Sequence, residues 1–153
     1  SIQIMLLFEC KTFNALTLNE LHDLYALRSA VFVVEQNCVY QDIDGKDPLA
    51  LHLIGKKKDK IVAYARIVSP GVSYTSFVSI GRVVVSAIRR GEKQGHQLMT
   101  FCLKQTKKHY PKERIKISAQ AHLEKFYNEH NFVATGKAYL EDGIPHIAMV
   151  LKE

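Results

Sequence analysis

The chain has 153 residues, of which 47% are hydrophobic and 24% are charged. These proportions suit one globular domain over residues 1–153 and exclude collagen, coiled coil and disorder as descriptions of the whole chain. The 21 Lys and Arg residues exceed the 15 Asp and Glu residues, and the resulting charge of +6 favours an anionic partner: a phosphorylated cofactor, nucleic acid or a membrane surface.

Three features limit the compartment and the covalent chemistry. No run of about 18 apolar residues occurs, so we expect no membrane-spanning segment. The opening residues 1–10 lack the basic flank of a signal peptide. Cys10, Cys38 and Cys102 have neither the number for a disulfide framework nor the spacing of metal ligands. We therefore expect a cytoplasmic protein with reduced thiols and no bound metal.

The first half of the chain predicts one helix between strands. A strand over 7–13 is followed by Thr17 and Glu20, whose spacing forms a capping box. An amphipathic helix starts there and continues, with a break, to about Val34. A polar loop over 35–48 separates this helix from the next strands. Those strands are expected at 51–55, 61–68 and 77–85.

The second half alternates helices with strands. A helix opens within 89–99 and ends near Pro111, because proline cannot continue it. A short strand over 115–119 precedes a short helix over 122–130, which Asn131 can close in a left-handed conformation. The last two strands are expected at 132–139 and 146–151. This order of elements predicts a mixed α/β sheet.

The turn after the strand 77–85 has the features of an anion site. A buried strand leads through a glycine-bearing turn into a helix start, where backbone N–H groups lack internal partners and the dipole favours negative charge. Arg89, Arg90 and Lys93 add positive charge, which is unfavourable at a helix start unless an anion binds there. The sequence contains no Walker phosphate loop, no dinucleotide glycine fingerprint and no His-Glu-x-x-His motif.

This turn resembles the acetyl-CoA loop of the GNAT N-acetyltransferase superfamily. Arg90 and Gly95 match the ends of the family pattern Arg/Gln-x-x-Gly-x-Gly/Ala, and Lys93 stands at its middle glycine. The pair Phe126-Tyr127 resembles the Phe-Tyr pair of a later family segment. Blocks similar to the ElaA-like branch begin at Arg28, Tyr40, Gly81, Ala119 and Glu141. The resemblance implies the GNAT fold: a mostly antiparallel sheet of six to seven strands, splayed at its centre, with about four helices.

The resemblance also implies a binding site for acetyl-CoA. In GNAT proteins the pyrophosphate lies on the amides after the central strand, and the pantetheine arm pairs with the edge of that strand. Lys93 can supply its N–H as glycine does if its φ is helical, and its side chain either reaches a phosphate or points to water. The expected cofactor-binding residues are Val83, Val84, Val85, Arg90, Gly91, Glu92, Lys93, Gln94, Gly95, His96 and Gln120.

The implied reaction is transfer of an acetyl group by direct attack of an amine on the thioester. Only about one in 10³ unperturbed lysine amines is neutral at pH 7, so a base assists the attack. Tyr127 matches the general acid of the family. Glu35 is a candidate base because partial burial after an apolar stretch would raise its pKa. The other candidates are His122 and His146, with His52 as a further base and Cys38 as an acyl-accepting nucleophile.

The acceptor is predicted from charge. Glu35, Asp42, Asp44 and Asp47 lie in the loop that forms the acceptor wall of GNAT proteins, and they would attract a cationic small-molecule or protein amine. An ordinary polar loop is the alternative interpretation. The alternative function is a CoA-binding module without catalysis. No recognition motif interleaves basic with aromatic residues, which disfavours nucleic acid. Small GNAT proteins often dimerise, so a homodimer is a further candidate partner.

Overall fold

The computed structural model describes residues 6–91 and 93–153. Within these residues there are three α-helices and eight strands. The helices are α1 (Leu18–Arg28), α2 (Gln94–His109) and α3 (Glu124–Asn128). The strands are β1 (Leu7–Thr12), β2 (Leu51–Lys57), β3 (Lys60–Val68), β4 (Phe77–Val85), β5 (Arg114–Gln120), β6 (Phe132–Ala134), β7 (Tyr139–Glu141) and β8 (Ile144–Leu151). All the strands belong to one sheet, as expected for the GNAT fold.

The sheet is antiparallel except at its centre. Its order is β1-β2-β3-β4-β5-β8-β6, and β7 pairs with β8 beyond this path. The one parallel pair in the described residues, β4 with β5, is registered only at Phe77 with Arg114 and at Val78 with Ile115. After these two pairs the strands separate, so the predicted central splay is confirmed.

The core lies on both faces of the sheet. On one face, Leu98, Met99 and Cys102 of α2 pack with Tyr127 of α3 against the buried side chains of β3, β4, β5 and β8. On the other face, α1 buries Leu24 and its neighbours against β2, β3 and β4. The helices α2 and α3 therefore share the face on which β5 presents its apolar side chains.

Local signals in the sequence account for the first helix. The Thr17 hydroxyl accepts a hydrogen bond from the Glu20 N–H at 3.0 Å, and the Glu20 carboxylate accepts one from the Thr17 N–H at 2.9 Å, as the capping box predicts. The expected break is at the end of α1, where Ser29–Glu35 forms a π-helical segment. This segment positions the residues that begin the polar loop.

Two expectations about the second half are wrong in detail. The helix α2 begins at Gln94 rather than near residue 89, because Gly91 and Lys93 adopt positive φ values that an α-helix excludes. The strand expected at 132–139 is two short strands, because the chain leaves the ladder near Gly136, where a glycine weakens pairing. Asn131 does take the predicted left-handed conformation, with a φ of 70°. No helix of the described residues is long and apolar enough to cross a membrane.

Candidate active site

A cleft opens where β4 and β5 separate. Beyond Val78 and Ile115 these strands share no pair, so the edge of β4 that faces β5 has no strand partner in the described chain. Its backbone groups can therefore pair with an extended ligand. Val83 and Val85 pack toward the α2 face of the sheet, and Val84 packs toward α1. The three valines predicted to meet the cofactor thus line one wall of the cleft.

The turn between β4 and α2 lies at the open end of this cleft. The Gln97 N–H donates to the Lys93 carbonyl at 3.2 Å, and the side chain of Lys93, the residue before α2, does not cap the helix. Helix geometry leaves the N–H groups of such a first turn without a carbonyl partner in the helix. Lys93 has a φ of 65°, so the condition that its φ be helical is not met. Glycine adopts this conformation readily, which explains the family preference at this position. Glu92 lies outside the described residues.

The first turn of α2 packs closely on α3. A Cβ atom at Gly95 would lie 3.3 Å from a ring carbon of Phe126, so a larger side chain would push the two helices apart. The ring of His96 lies 4.7 Å from that of Phe126, and its Nδ1 is 2.8 Å from Nε2 of His130. These contacts hold the helix that carries Tyr127 against the turn.

Tyr127 is buried beside the splay. It is 6% exposed and packs edge-on against Phe126 and Phe132, with ring centroids 5.0 and 5.9 Å away. Ala119 of β5 belongs to the same core cluster as Tyr127, and Val83 of β4 packs against that cluster, so the tyrosine lies on the face of the sheet where the two strands separate. Burial raises the pKa of Tyr127, whose phenol is protonated at neutral pH as that of an ordinary tyrosine is.

Glu35 does not occupy the partly buried position that was expected. Its side chain is 40% exposed, and its Oε2 forms an ion pair with Nη1 of Arg90 at 2.6 Å. Arg90 also donates from Nε to the Val85 carbonyl at 3.2 Å. The guanidinium therefore links the end of β4 to the π-helical segment, and this contact argues against Glu35 as a base tuned by burial.

The two remaining candidate bases differ in their surroundings. His122 is exposed on the short turn after β5, and no hydrogen bond or ion pair of the described residues involves it. His146 on β8 is 8% exposed. Its Nδ1 lies 2.7 Å from the Ile144 carbonyl, which can only accept, so Nδ1 carries the proton. Its Nε2 lies 3.4 Å from Glu141 Oε2, so a proton on Nε2 would form an ion pair with that carboxylate.

His52 and Cys38 serve the fold. His52 is fully buried, with Nδ1 2.6 Å from the Tyr64 hydroxyl and Nε2 2.8 Å from the Asp47 carbonyl, and burial lowers its pKa. The Cys38 thiol donates to the Asp142 carbonyl at 3.3 Å and so ties the polar loop to the β7–β8 turn. No group of three His, Cys, Asp or Glu residues in the described ranges is placed to hold a metal ion.

Arginines neutralise the acidic loop. Each of its three aspartates contacts two arginines that come from α1, β3 and β4. The contacts, all between 2.6 and 3.3 Å, join Asp42 to Arg28 and Arg82, Asp44 to Arg66 and Arg82, and Asp47 to Arg28 and Arg66. Arg82 reaches the loop from a bulge in β4, where its φ is 50°. The expectation that this loop attracts a cationic amine by its charge is therefore wrong.

A set of polar side chains, of which the sequence analysis named only Gln120 and His146, lies on the other face of β5. We call the side chains that share this face the polar wall: Lys116, Ser118, Gln120, Tyr139, Glu141 and His146. The Ser118 hydroxyl is 2.5 Å from that of Tyr139 and 3.3 Å from the Glu141 carboxylate. Gln120, predicted to bind the cofactor, instead exchanges amide hydrogen bonds of 3.2 and 3.5 Å with Gln36. The alternation of apolar and polar residues over 114–120 is the signal that predicts this face.

A splayed sheet with an uncapped helix start at the end of its central strand and a buried tyrosine beneath the splay defines the GNAT class of acetyltransferases. The family model described as the acetyltransferase (GNAT) domain matches residues 19–153. The chain belongs to this family and is an acetyltransferase of its ElaA-like branch.

Individual relatives agree with this assignment. The chain is similar to protein ElaA of Escherichia coli strain K12, with 48% identity over 138 residues that cover 89% of this chain and 90% of that protein. The crystal structure of Escherichia coli ElaA matches with a TM-score of 0.91 and 44% identity, over 97% of this chain and 100% of that one. An acyl-CoA N-acyltransferase from Pseudomonas aeruginosa matches with a TM-score of 0.90 and 43% identity, over 96% and 99% of the two chains.

Proposed function

We propose that this chain transfers an acetyl group from acetyl-CoA to an amine, with Tyr127 as the general acid. The observation that carries the proposal is the separation of β4 from β5 beyond Val78 and Ile115. It leaves the edge of β4 that leads to the start of α2 without a strand partner in the described residues, on a sheet whose α2 face buries Tyr127. The similarity to an acyl-CoA N-acyltransferase supports the same chemistry.

The residues of the cleft fit the cofactor in charge and shape. The first turn of α2, with Gly91 and Lys93 before it, would hold the pyrophosphate because amides and positive charge meet there. The β4 edge over Val83–Val85 would pair with the amides of the pantetheine arm. When bound, the cofactor supplies an activated acetyl thioester. Arg90 and Gln120 are already bonded to Glu35 and Gln36, so we assign them to the walls of the cleft.

Two residues of the chain move the protons of the reaction. As the amine nitrogen bonds to the acetyl carbon and the carbon–sulfur bond breaks, Tyr127 donates its hydroxyl proton to the leaving sulfur, and solvent later restores it. His146 Nε2 accepts the proton that the amine loses, directly or through water. The neighbouring Glu141 carboxylate then stabilises the imidazolium.

The test measures binding and turnover separately. Acetyl-CoA at 100 times its Kd should add about 2.7 kcal/mol to the free energy of unfolding. Release of the CoA thiol with a panel of amines measures transfer. His146→Gln should lower kcat at neutral pH by about 10²-fold or more, whereas Glu35→Gln and His122→Gln should not. Binding without transfer to any amine would favour the non-catalytic module, and absence of binding would overturn the proposal.

A further inference from the structure

Among the described residues, neither Lys116 nor Glu141 of the polar wall forms an ion pair with a Lys, Arg, Asp or Glu side chain. Lys116 Nζ lies over the rings of Tyr74 and Phe77, 4.8 and 5.5 Å from their centroids, and no carboxylate of the described residues pairs with it. The Glu141 side chain is 49% exposed and contacts the Ser118 hydroxyl and the His146 imidazole. The carboxylates and guanidiniums of the acidic loop, by contrast, neutralise one another. The polar wall therefore carries one positive charge, on Lys116, and one negative charge, on Glu141, that no oppositely charged Lys, Arg, Asp or Glu side chain of the described residues neutralises.

Both residues belong to the part of the sheet where the cleft begins. Lys116 directly follows Ile115, the last residue of β5 that pairs with β4. Ser118, which contacts Glu141, is two residues further, about 7 Å along the strand. Both side chains are on the face of the sheet opposite Tyr127 and α2. A molecule on the polar wall would therefore reach the opening between the strands from the side opposite the cofactor.

The surroundings hold both groups in place. The aromatic rings beneath Lys116 attract its ammonium without neutralising it. Burial, together with Tyr139 and Glu141, raises the pKa of Tyr74, so its phenol stays neutral beside the lysine. Glu141 ends β7, and the Cys38 thiol bonds the carbonyl of the next residue, Asp142, at 3.3 Å. The polar wall is thus a preformed surface with one fixed cation and one fixed anion.

We propose that the acceptor is a small zwitterion of the α-amino acid class, whose ammonium binds Glu141 and whose carboxylate binds Lys116. This inference rests on the proposed function. A polyamine would meet the Lys116 ammonium with a like charge, and an amino sugar or a peptide N-terminus would leave that ammonium without an anion. The bound ammonium lies beside His146, to which it passes its proton before the nitrogen attacks.

The test compares amino acids with the same molecules lacking a carboxylate. Transfer from saturating acetyl-CoA is measured for a panel of α-amino acids, for their α-amides and for their decarboxylated amines. Loss of the carboxylate should lower kcat/KM by about 10- to 100-fold, as expected for a charge-assisted hydrogen bond. Lys116→Gln should lower kcat/KM by the same factor for the amino acid and leave the amide unchanged. Lys107→Gln, on the exposed side of α2, is the matched control and should change neither substrate.

Two further measurements separate this inference from the proposed function. Calorimetric titration of the amino acid into the CoA complex reads the carboxylate preference without turnover, and Lys116→Arg should retain that preference. A preference for amides, polyamines or amino sugars, or an equal effect of Lys116→Gln on acid and amide, would overturn the zwitterion inference while acetyl transfer stands. Absence of acetyl-CoA binding would overturn the proposed function instead.

Discussion

Packing fixes Tyr127, which we propose as the general acid. Burial raises the pKa of its phenol, and the phenol is protonated at neutral pH as that of an ordinary tyrosine is. Its ring is held edge-on between Phe126 and Phe132, so packing sets the direction of the hydroxyl. A group of this kind contributes to the step in which the thiolate leaves, when a proton is needed.

Replacement of Tyr127 by Phe tests this role with almost no change in packing volume. We expect kcat to fall about 10²- to 10⁴-fold, because the proton donor is lost. The KM for acetyl-CoA should change little, because the proton is needed only in the transition state. Steady-state kinetics, with a thermal unfolding curve for each protein, measure both effects. A variant that turns over at the parent rate would assign Tyr127 to the core and proton donation to water.

Individual residues differ in how far the sequence predicts their surroundings. Tyr127 could be placed beside the cleft because the motif that contains it is local. Glu35 could not, because its partner Arg90 is 55 positions away in the chain and no local pattern joins them. The sequence could not distinguish His146 from the other candidate bases, His52 and His122. Its contacts with the Ile144 carbonyl and the Glu141 carboxylate, which show that Nδ1 carries the proton, distinguish it in the structure. Single residues are predictable where their neighbours in space are also neighbours in sequence.

At the scale of elements, the turn between β4 and α2 has the conformation on which the proposed cofactor site depends. Gly91 and Lys93 have φ values of 88° and 65°, which bend the chain before the helix begins. A helix over residues 89–93 would have continued past the end of the cleft. A lysine in the left-handed conformation is strained by about 1–2 kcal/mol. Lys93 carries this strain, and a glycine at the same position would not.

Lys93→Gly and Lys93→Ala separate the backbone of this residue from its side chain. Both variants lack the ammonium, but only glycine tolerates the left-handed φ without strain. We expect Lys93→Gly to be more stable than Lys93→Ala by about 0.5–1 kcal/mol, which is the strain less the conformational entropy of glycine. Urea denaturation measures the difference.

Acetyl-CoA affinity of the same two variants shows what the Lys93 side chain does. Equal losses of affinity in both would mean that the ammonium contacts a phosphate, and parent affinity in both would mean that it points to water. A glycine variant no more stable than the alanine variant would contradict the left-handed conformation of this residue.

The elements themselves were predicted best where the signal is a repeat or a cap. β4 has the expected bounds, Phe77–Val85, because an apolar stretch that ends in three valines without alternation is typical of a buried central strand. The capping box at Thr17 fixed the start of α1. The start of α2 and the division between β6 and β7 were missed, because a single positive φ or one glycine changes the path of the chain without altering the pattern of apolar residues.

At the scale of the whole molecule, the buried ion pairs join parts of the chain that are far apart in sequence. Arg28 of α1, Arg66 of β3 and Arg82 of β4 meet three aspartates of one loop. Such a cluster cannot be read from composition, since the same charges would give a solvated acidic loop if the arginines lay elsewhere. Burying these charges is costly, and the cost is offset only while every partner is present.

This cluster predicts how stability depends on pH. Burial alone would raise the pKa of Asp47, but the hydrogen bonds and charges of Arg28 and Arg66 together outweigh it and hold the pKa below its usual 3.8. For Asp44, burial is outweighed in the same way by Arg66, the Lys46 N–H and Arg82 together. A carboxyl whose pKa is lowered by folding contributes stability above its unfolded pKa and loses it as pH falls through the folded value. We therefore expect the free energy of unfolding, measured by urea denaturation, to decline as pH falls below about 4.

Arg28→Met extends this prediction to neutral pH. The substitution leaves Asp42 and Asp47 buried with one arginine each, so it should lower the free energy of unfolding by about 3–5 kcal/mol. It should also move the acid decline to higher pH, because the pKa of Asp47 rises when the Arg28 cation that lowers it is removed. Arg114→Met is the matched control, since Arg114 is exposed and its pairing with Glu153 at 3.6 Å contributes at most about 1 kcal/mol. Equal stabilities of the two variants, with the same acid profile, would show that the buried pairs contribute no more than a surface pair.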